Sequence, residues 1–67
     1  MTEKEIKMIE GVLHRTHFVN QMDKNKVRRL AKYHCLHLVV SDFMGSIKIF
    51  TPNFDEKEFI HSIFNES

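Results

Sequence analysis

The sequence has a single cysteine, one proline and two glycines among its 67 residues. One cysteine excludes a disulfide within the chain, so packing or a second subunit must stabilise the fold. Two glycines are too few for a phosphate-cradling loop, and the GxSxG, HExxH and kinase patterns are absent. We therefore expect a protein that is not an enzyme.

The chain also lacks an apolar run of about 18 residues and a secretory signal. Together with the lone cysteine, this predicts a cytoplasmic protein that does not contact a membrane. A chain of 67 residues can bury only one modest core, so we expect residues 1–67 to form a single small domain. A homodimer is one route by which so small a domain could bury more surface.

Positive charge is concentrated in one segment, although the net charge is only +1. Residues 15–34 contain six Lys and Arg against one Asp, whereas residues 35–67 contain five acids against two Lys. This asymmetry predicts one cationic surface on an otherwise neutral domain.

Three helix starts are indicated by capping residues. Thr2 is followed by Glu5 and Asp55 by Glu58, the spacing of a capping box, and Asp23 is placed to cap a middle helix. We predict a helix from the N-terminus with Ile6, Ile9 and Leu13 on one stripe, a second helix over 24–34 and a third over about 55–65. The segment 15–22 has no clear pattern.

Apolar residues alternate with others over 36–41 and again over 46–50. A period of two is typical of half-buried strands, and Gly45 ends a four-residue stretch that could form the turn between them. Pro52 would end the second strand, because proline cannot donate to the ladder. The predicted order is therefore α-α-β-β-α, a small α+β fold.

The second helix has one face without aliphatic residues. Val27, Leu30, Ala31 and His34 share a face that we expect to pack on the domain, which leaves a cationic arc for solvent or for a polyanion. Such a helix can enter the major groove of DNA, where Arg and Asn pair with base edges. The candidate nucleic-acid-binding residues are Lys24, Asn25, Lys26, Arg28, Arg29, Lys32, Tyr33 and Lys48. An ordinary solvated face is the alternative, although most such faces mix their signs of charge.

Three stretches carry a family resemblance: "MDKNKVRRLA" from Met22, "IKI" at 47–49 after Gly45, and "FDEKEFIHSI" from Phe54. They resemble the recognition helix, wing and closing segment of excisionase-type winged-helix proteins of mobile elements. The resemblance implies a small DNA-binding regulatory protein. It would place residues 26–32 in the major groove and the hairpin 36–50 against the flanking backbone or minor groove.

The alternative function is a small regulator that binds a protein. Phe43 and Met44 lie at the tip of the predicted hairpin, where they either fold onto the core or stay exposed. Exposed, they would offer an adaptable contact to another protein or to a second copy of the chain. The basic face could equally meet an acidic protein surface.

Histidines and the cysteine raise the question of a metal. The candidate ligands would be His14, His17, His34, Cys35 and His37. Their spacing lacks the paired short intervals typical of zinc sites, so we expect neither a metal nor a cofactor. Cys35 also has histidine neighbours in the sequence, but we expect a buried, inert thiol rather than a nucleophile.

Overall fold

The computed structural model describes residues 2–64, which form three α-helices and, within that range, no β-strand. Helix α1 is Glu3–Gln21, α2 is Lys26–Phe50 and α3 is Glu56–Phe64. With 25 residues, α2 is about 37 Å long, so it runs the full 38 Å of the longest dimension. Residue 65, which the prediction placed at the end of the third helix, lies outside the described residues.

Two of the three predicted helix starts are confirmed. The amide of Glu5 donates to Thr2 Oγ1 at 3.2 Å and the amide of Thr2 donates to Glu5 Oε1 at 3.0 Å, which completes the capping box of α1. The bond from the Thr2 amide also lowers the pKa of the Glu5 carboxyl. At α3, the amide of Glu58 donates to Asp55 Oδ1 at 3.1 Å.

The predicted start of the middle helix is wrong by two residues. Asn25 is the N-cap of α2, and its side chain accepts from the Arg28 amide at 3.0 Å. Asp23 lies outside the helix and accepts from the Asn25 amide at 2.9 Å. The shift matters because it leaves the Asp23 carboxylate available to other side chains.

The predicted hairpin is wrong, because residues 36–50 belong to α2. Leu36, Val40, Met44 and Ile47 are all buried, and their spacings of four, four and three residues follow the period of a helix. Gly45 lies within the same helix and makes no turn. The fold is therefore all-helical over the described residues, and neither the α+β class nor the winged-helix architecture holds.

The helices run up, down and up. The His17 ring lies 5.9 Å from that of Tyr33, and Phe43 shares a groove with Met8, so α2 runs antiparallel to α1. Helix α3 runs parallel to α1, because the Ile63 carbonyl near the end of α3 lies 3.0 Å from His14 Nδ1 in the second half of α1.

The core lies where the three helices meet. The predicted stripe of α1 faces it, with Leu13 buried and Ile6 and Ile9 packed against it. The Phe54 ring packs edge-to-face against the Phe59 ring, with the two ring centres 5.1 Å apart, and covers one end of the core. The buried residues are Leu13, Leu36, Val40, Met44, Ile47, Phe59, Ile63 and Phe64.

Gly11 offers a simple test of α1. It lies inside the helix, and a Cβ added there would meet nothing within 4 Å. Gly11→Ala should raise the free energy of unfolding by about 1 kcal/mol, because alanine loses less backbone entropy in a helix. Thermal unfolding followed by circular dichroism should show a rise in Tm of about 4–8 °C. The reverse change at exposed Ala31, to Gly, should lower Tm by a similar amount; a fall in Tm for Gly11→Ala would contradict α1 as described.

Candidate functional site

The apolar residues expected to pack on the domain instead face outward. Val27 is 77% exposed and Leu30 57%, and Ala31 is exposed as well. Arg29 and Tyr33, assigned to the outward cationic arc, are partly buried. The register of α2 explains the reversal, because the core residues of its second half lie on the side of the helix opposite the Val27 stripe.

Asp23 organises the cationic residues at the start of α2. Its Oδ2 accepts from Arg28 Nε at 3.2 Å and from Lys32 Nζ at 3.0 Å. Arg29 donates to the Asp23 backbone carbonyl at 3.1 Å. The pKa of the Asp23 carboxyl lies well below its usual range. The main cause is the hydrogen bond from the backbone amide of Asn25, followed by the hydrogen bonds from Lys32 and Arg28. We call this group the Asp23 cluster.

The other candidate nucleic-acid-binding residues are not gathered into one surface. Lys24 and Lys26 are exposed and form no ion pair with any residue in the described range 2–64. The side-chain oxygen of Asn25 caps the start of α2, and the Tyr33 ring contacts other rings. Lys48 forms an ion pair with Glu56 near the far end of α2, about 30 Å along the axis from the Asp23 cluster.

The Asp23 cluster predicts a pH-dependent stability. Asp23→Asn keeps the side-chain oxygen that accepts from Asn25 but removes the charge that Arg28 and Lys32 contact. Because folding lowers the pKa of this carboxyl, its contribution is complete above about pH 4 and is lost as the pH falls through the lower folded-state value. Thermal unfolding should therefore show a variant less stable than wild type at pH 7, with the difference shrinking below about pH 4.

Asp42→Asn is the matched control, since Asp42 is exposed on α2 and forms no ion pair within the described part of the chain. It should leave the Tm at pH 7 unchanged. Equal effects of the two substitutions would contradict a specific role for the Asp23 cluster.

Three of the four histidines that were weighed as metal ligands contact α3 instead. The His37 ring stacks on Phe64 at 4.0 Å, and the His17 ring meets the edge of Phe64 at 5.0 Å. His14 Nδ1 donates to the Ile63 carbonyl at 3.0 Å. Cys35 is exposed, contrary to the prediction of a buried thiol. Over residues 2–64, no group of three His, Cys, Asp or Glu side chains is placed to hold a metal ion.

Of the two candidate partner-binding residues, only one is accessible. Met44 lies in the core with 9% of its surface exposed, whereas Phe43 is 38% exposed. Phe43 lines a shallow apolar groove between α1 and α2 of about 170 Å³, together with Met8 and Val12. Both residues lie within α2 rather than at the tip of a hairpin.

A line of exposed, mainly apolar residues runs along α2 opposite the core, and we call it the outer stripe. At 100° per residue its members fall within an arc of about 40°. They are Val27, Ala31, Leu38, Gly45 and Ile49. Leu38 is 70% exposed and Ile49 77%. His34 and Asp42, both exposed, lie at the two edges of this arc.

A helix that is apolar on two opposite faces is usually buried on both. Here one face of α2 packs on α1 and α3 and the other lies in water, and exposed apolar patches of a few hundred Å² are often functional. The sequence held the signal: the members of the stripe and its edges, at 27, 31, 34, 38, 42, 45 and 49, follow each other at three or four residues. The strand interpretation of 36–50 hid this signal, because it cut the helix in two.

Two further observations bear on function. Within residues 2–64, none of the helices combines the length and the apolar character needed to cross a bilayer. Comparisons of the chain with models of known families, with curated proteins and with solved structures found no match.

Proposed function

We propose that this protein is a small, non-enzymatic protein-binding module that acts through the outer stripe of α2. One observation carries the proposal: Val27, Leu38 and Ile49 are each at least 70% exposed on the same side of one helix. No element of the described chain covers this side. A regulator that binds a protein needs such a surface, and the stripe supplies it on a rigid helix.

The stripe suits a helical partner. It extends over about 33 Å of helix axis, and it alternates large residues with small ones. Ala31 and Gly45 let a second backbone approach closely, while the large side chains project to either side. Burying each exposed aliphatic side chain fully would contribute roughly 1.5–3 kcal/mol. Recognition of this kind places the apolar face of one helix against that of another.

Site-specific photocrosslinking tests the proposal. The photoreactive amino acid benzoylphenylalanine is placed at Leu38 and, in a matched control, at exposed Lys57 on α3. After irradiation in the cells that make the protein, the probe at 38 should yield discrete protein adducts and the probe at 57 should not. The absence of any protein adduct at 38, or the same adducts from both positions, would contradict the proposal.

DNA binding by the Asp23 cluster is the second candidate. The supporting observation is that residues 24–32 include five Lys and Arg, of which Arg28 and Lys32 share the Asp23 carboxylate, while Lys24 and Lys26 form no ion pair within the described residues. A net positive potential at this end of α2 would favour phosphate. In this function the protein would be a non-enzymatic regulator that contacts the DNA backbone with the start of α2.

Asp23 should compete with phosphate for the same cations. In an anisotropy titration of a labelled duplex, Asp23→Asn should tighten binding, because it releases Arg28 and Lys32. The double variant Lys24→Ala, Lys26→Ala should weaken it. If about four phosphates are contacted, wild-type affinity should fall on the order of a hundredfold between 50 and 200 mM salt. No binding at 50 mM salt, or no response to Asp23→Asn, would contradict this function.

A further inference from the structure

The outer stripe reads the same in both directions about Leu38. From either end it presents a large aliphatic residue, then a small one, then a polar edge residue, and then the central leucine. The spacings are also symmetric, at four, three and four residues on each side. A surface of this kind is self-complementary under the two-fold axis of an isologous contact.

We infer that the occupant of the outer stripe is a second copy of this chain, packed antiparallel through α2 with Leu38 on the two-fold axis. The inference rests on the proposed function and names its partner. In this register Val27 lies opposite Ile49 of the second copy, and Ala31 lies opposite its Gly45. Large residues thus meet large ones at the ends and at the centre, while the two smallest meet each other and let the helices approach closely.

Charge also favours the antiparallel arrangement. It brings each exposed His34 to the level of Asp42 of the second copy, at the opposite edge of the contact, so that no two carboxylates share a level. A parallel pair in register would instead bring Asp42 to the level of its own copy, and like charges at a contact are unfavourable.

The size of the contact is typical of a reversible association. A stripe about 33 Å long and about 10 Å wide covers roughly 330 Å² on each copy. This footprint is smaller than the approximately 800 Å² per partner of a standard stable complex. We therefore expect a reversible dimer with a Kd on the order of micromolar rather than an obligate one.

The dimer has a consequence for the second candidate function. The start of α2 lies twelve residues from Leu38, so the two Asp23 clusters are about 36 Å apart along the paired helices. Two-fold symmetry places both clusters on the same side of the pair. Half-sites on one face of B-DNA are about 34–36 Å apart, so the dimer would present both clusters to successive turns of a duplex.

Cysteine crosslinking tests the orientation and the register together. The lone native thiol is first removed with Cys35→Ala, which alters only an exposed side chain. In that background Leu38→Cys should form a covalent dimer on mild oxidation. Val27→Cys and Ile49→Cys should each form no covalent dimer alone and should crosslink when the two variants are mixed. Val19→Cys, 62% exposed on α1, is the control for random collision and should not crosslink.

Three results would overturn the inference. Self-crosslinking of Val27→Cys and of Ile49→Cys would indicate a parallel pair. Crosslinking of Val19→Cys as fast as that of Leu38→Cys would indicate random collision. No crosslinking at 38, combined with photoadducts at 38 to other proteins only, would show that the surface binds a partner but not a second copy. Circular dichroism of each variant confirms that the monomer is folded, so that a negative result counts against the pairing.

Discussion

Replacing Leu38 with glutamate should weaken the dimer by at least about a hundredfold, which corresponds to about 2.7 kcal/mol. The substitution removes the central apolar contact and brings two carboxylates together at the two-fold axis, where both would lose water. The monomer should remain folded, because 70% of the Leu38 surface is already exposed and the side chain does not contribute to the core. Sedimentation velocity over a concentration series measures the change, and circular dichroism measures the fold.

Val19→Glu is the matched control for this prediction. Val19 is 62% exposed, close to the value for Leu38, but it lies on α1 and outside the outer stripe. The same change in charge and polarity there should leave the dimer dissociation constant within about twofold of wild type, because surface substitutions away from a contact are worth about 0.5 kcal/mol or less. Equal weakening by both substitutions would mean that net charge, and not the outer stripe, controls association.

Truncating Phe59 to alanine should have the largest effect on folding. Phe59 is completely buried at the junction of the three helices, and its ring stacks on Phe54. Loss of a buried phenylalanine side chain costs about 3–5 kcal/mol, whereas a chain of this length has a total stability of roughly 3–10 kcal/mol. A large fraction of the variant should therefore be unfolded at 37 °C in thermal or urea denaturation followed by circular dichroism.

Phe18→Ala provides the comparison, since the same substitution is made at a phenylalanine that is 58% exposed on α1. Its free energy of unfolding should change by about 0.5 kcal/mol or less. A destabilisation by Phe18→Ala that matches or exceeds that of Phe59→Ala would contradict the placement of the core.

Local features of the fold could be predicted from the sequence. The capping box of Thr2 with Glu5 and the bond between Asp55 and Glu58 involve residues three apart, so no knowledge of the tertiary structure was needed. The apolar stripe of α1 was likewise correct up to Leu13, although the helix continues to Gln21 through a segment without a clear pattern.

The second half of α2 could not be predicted in the same way, because two periods fit the same residues. Leu36 and Val40 belong both to an alternating pattern and to a helical one, and short apolar runs do not separate the two. What distinguishes them is the burial of these residues with Phe59 and Ile63, which α3 supplies from later in the chain. Gly45 strengthened the wrong interpretation, because glycine is common in turns and unfavourable in helices.

The site was partly predictable. The cationic segment was evident from composition, but its outward face was misassigned, because the strand interpretation of 36–50 removed the core residues that determine which side of α2 faces inward. With Asn25 as the cap, the Asp23 carboxylate is free to bind Arg28 and Lys32. Val27 lies on an exposed apolar face and not in the core, because the buried residues of the second half of α2 are on the opposite side of the helix. A helix with two apolar faces is ambiguous in sequence, because either face can pack on the domain.

Sedimentation equilibrium of the wild-type chain tests most directly the claim that the outer stripe pairs with itself. Loading concentrations from well below to well above the micromolar range, at physiological salt and under reducing conditions, bracket the expected dissociation constant. We predict that the weight-average mass rises reversibly from that of one chain to that of two and then levels off, as a closed two-fold contact requires. A mass that stays at one chain throughout, or that grows beyond two chains, would contradict the account.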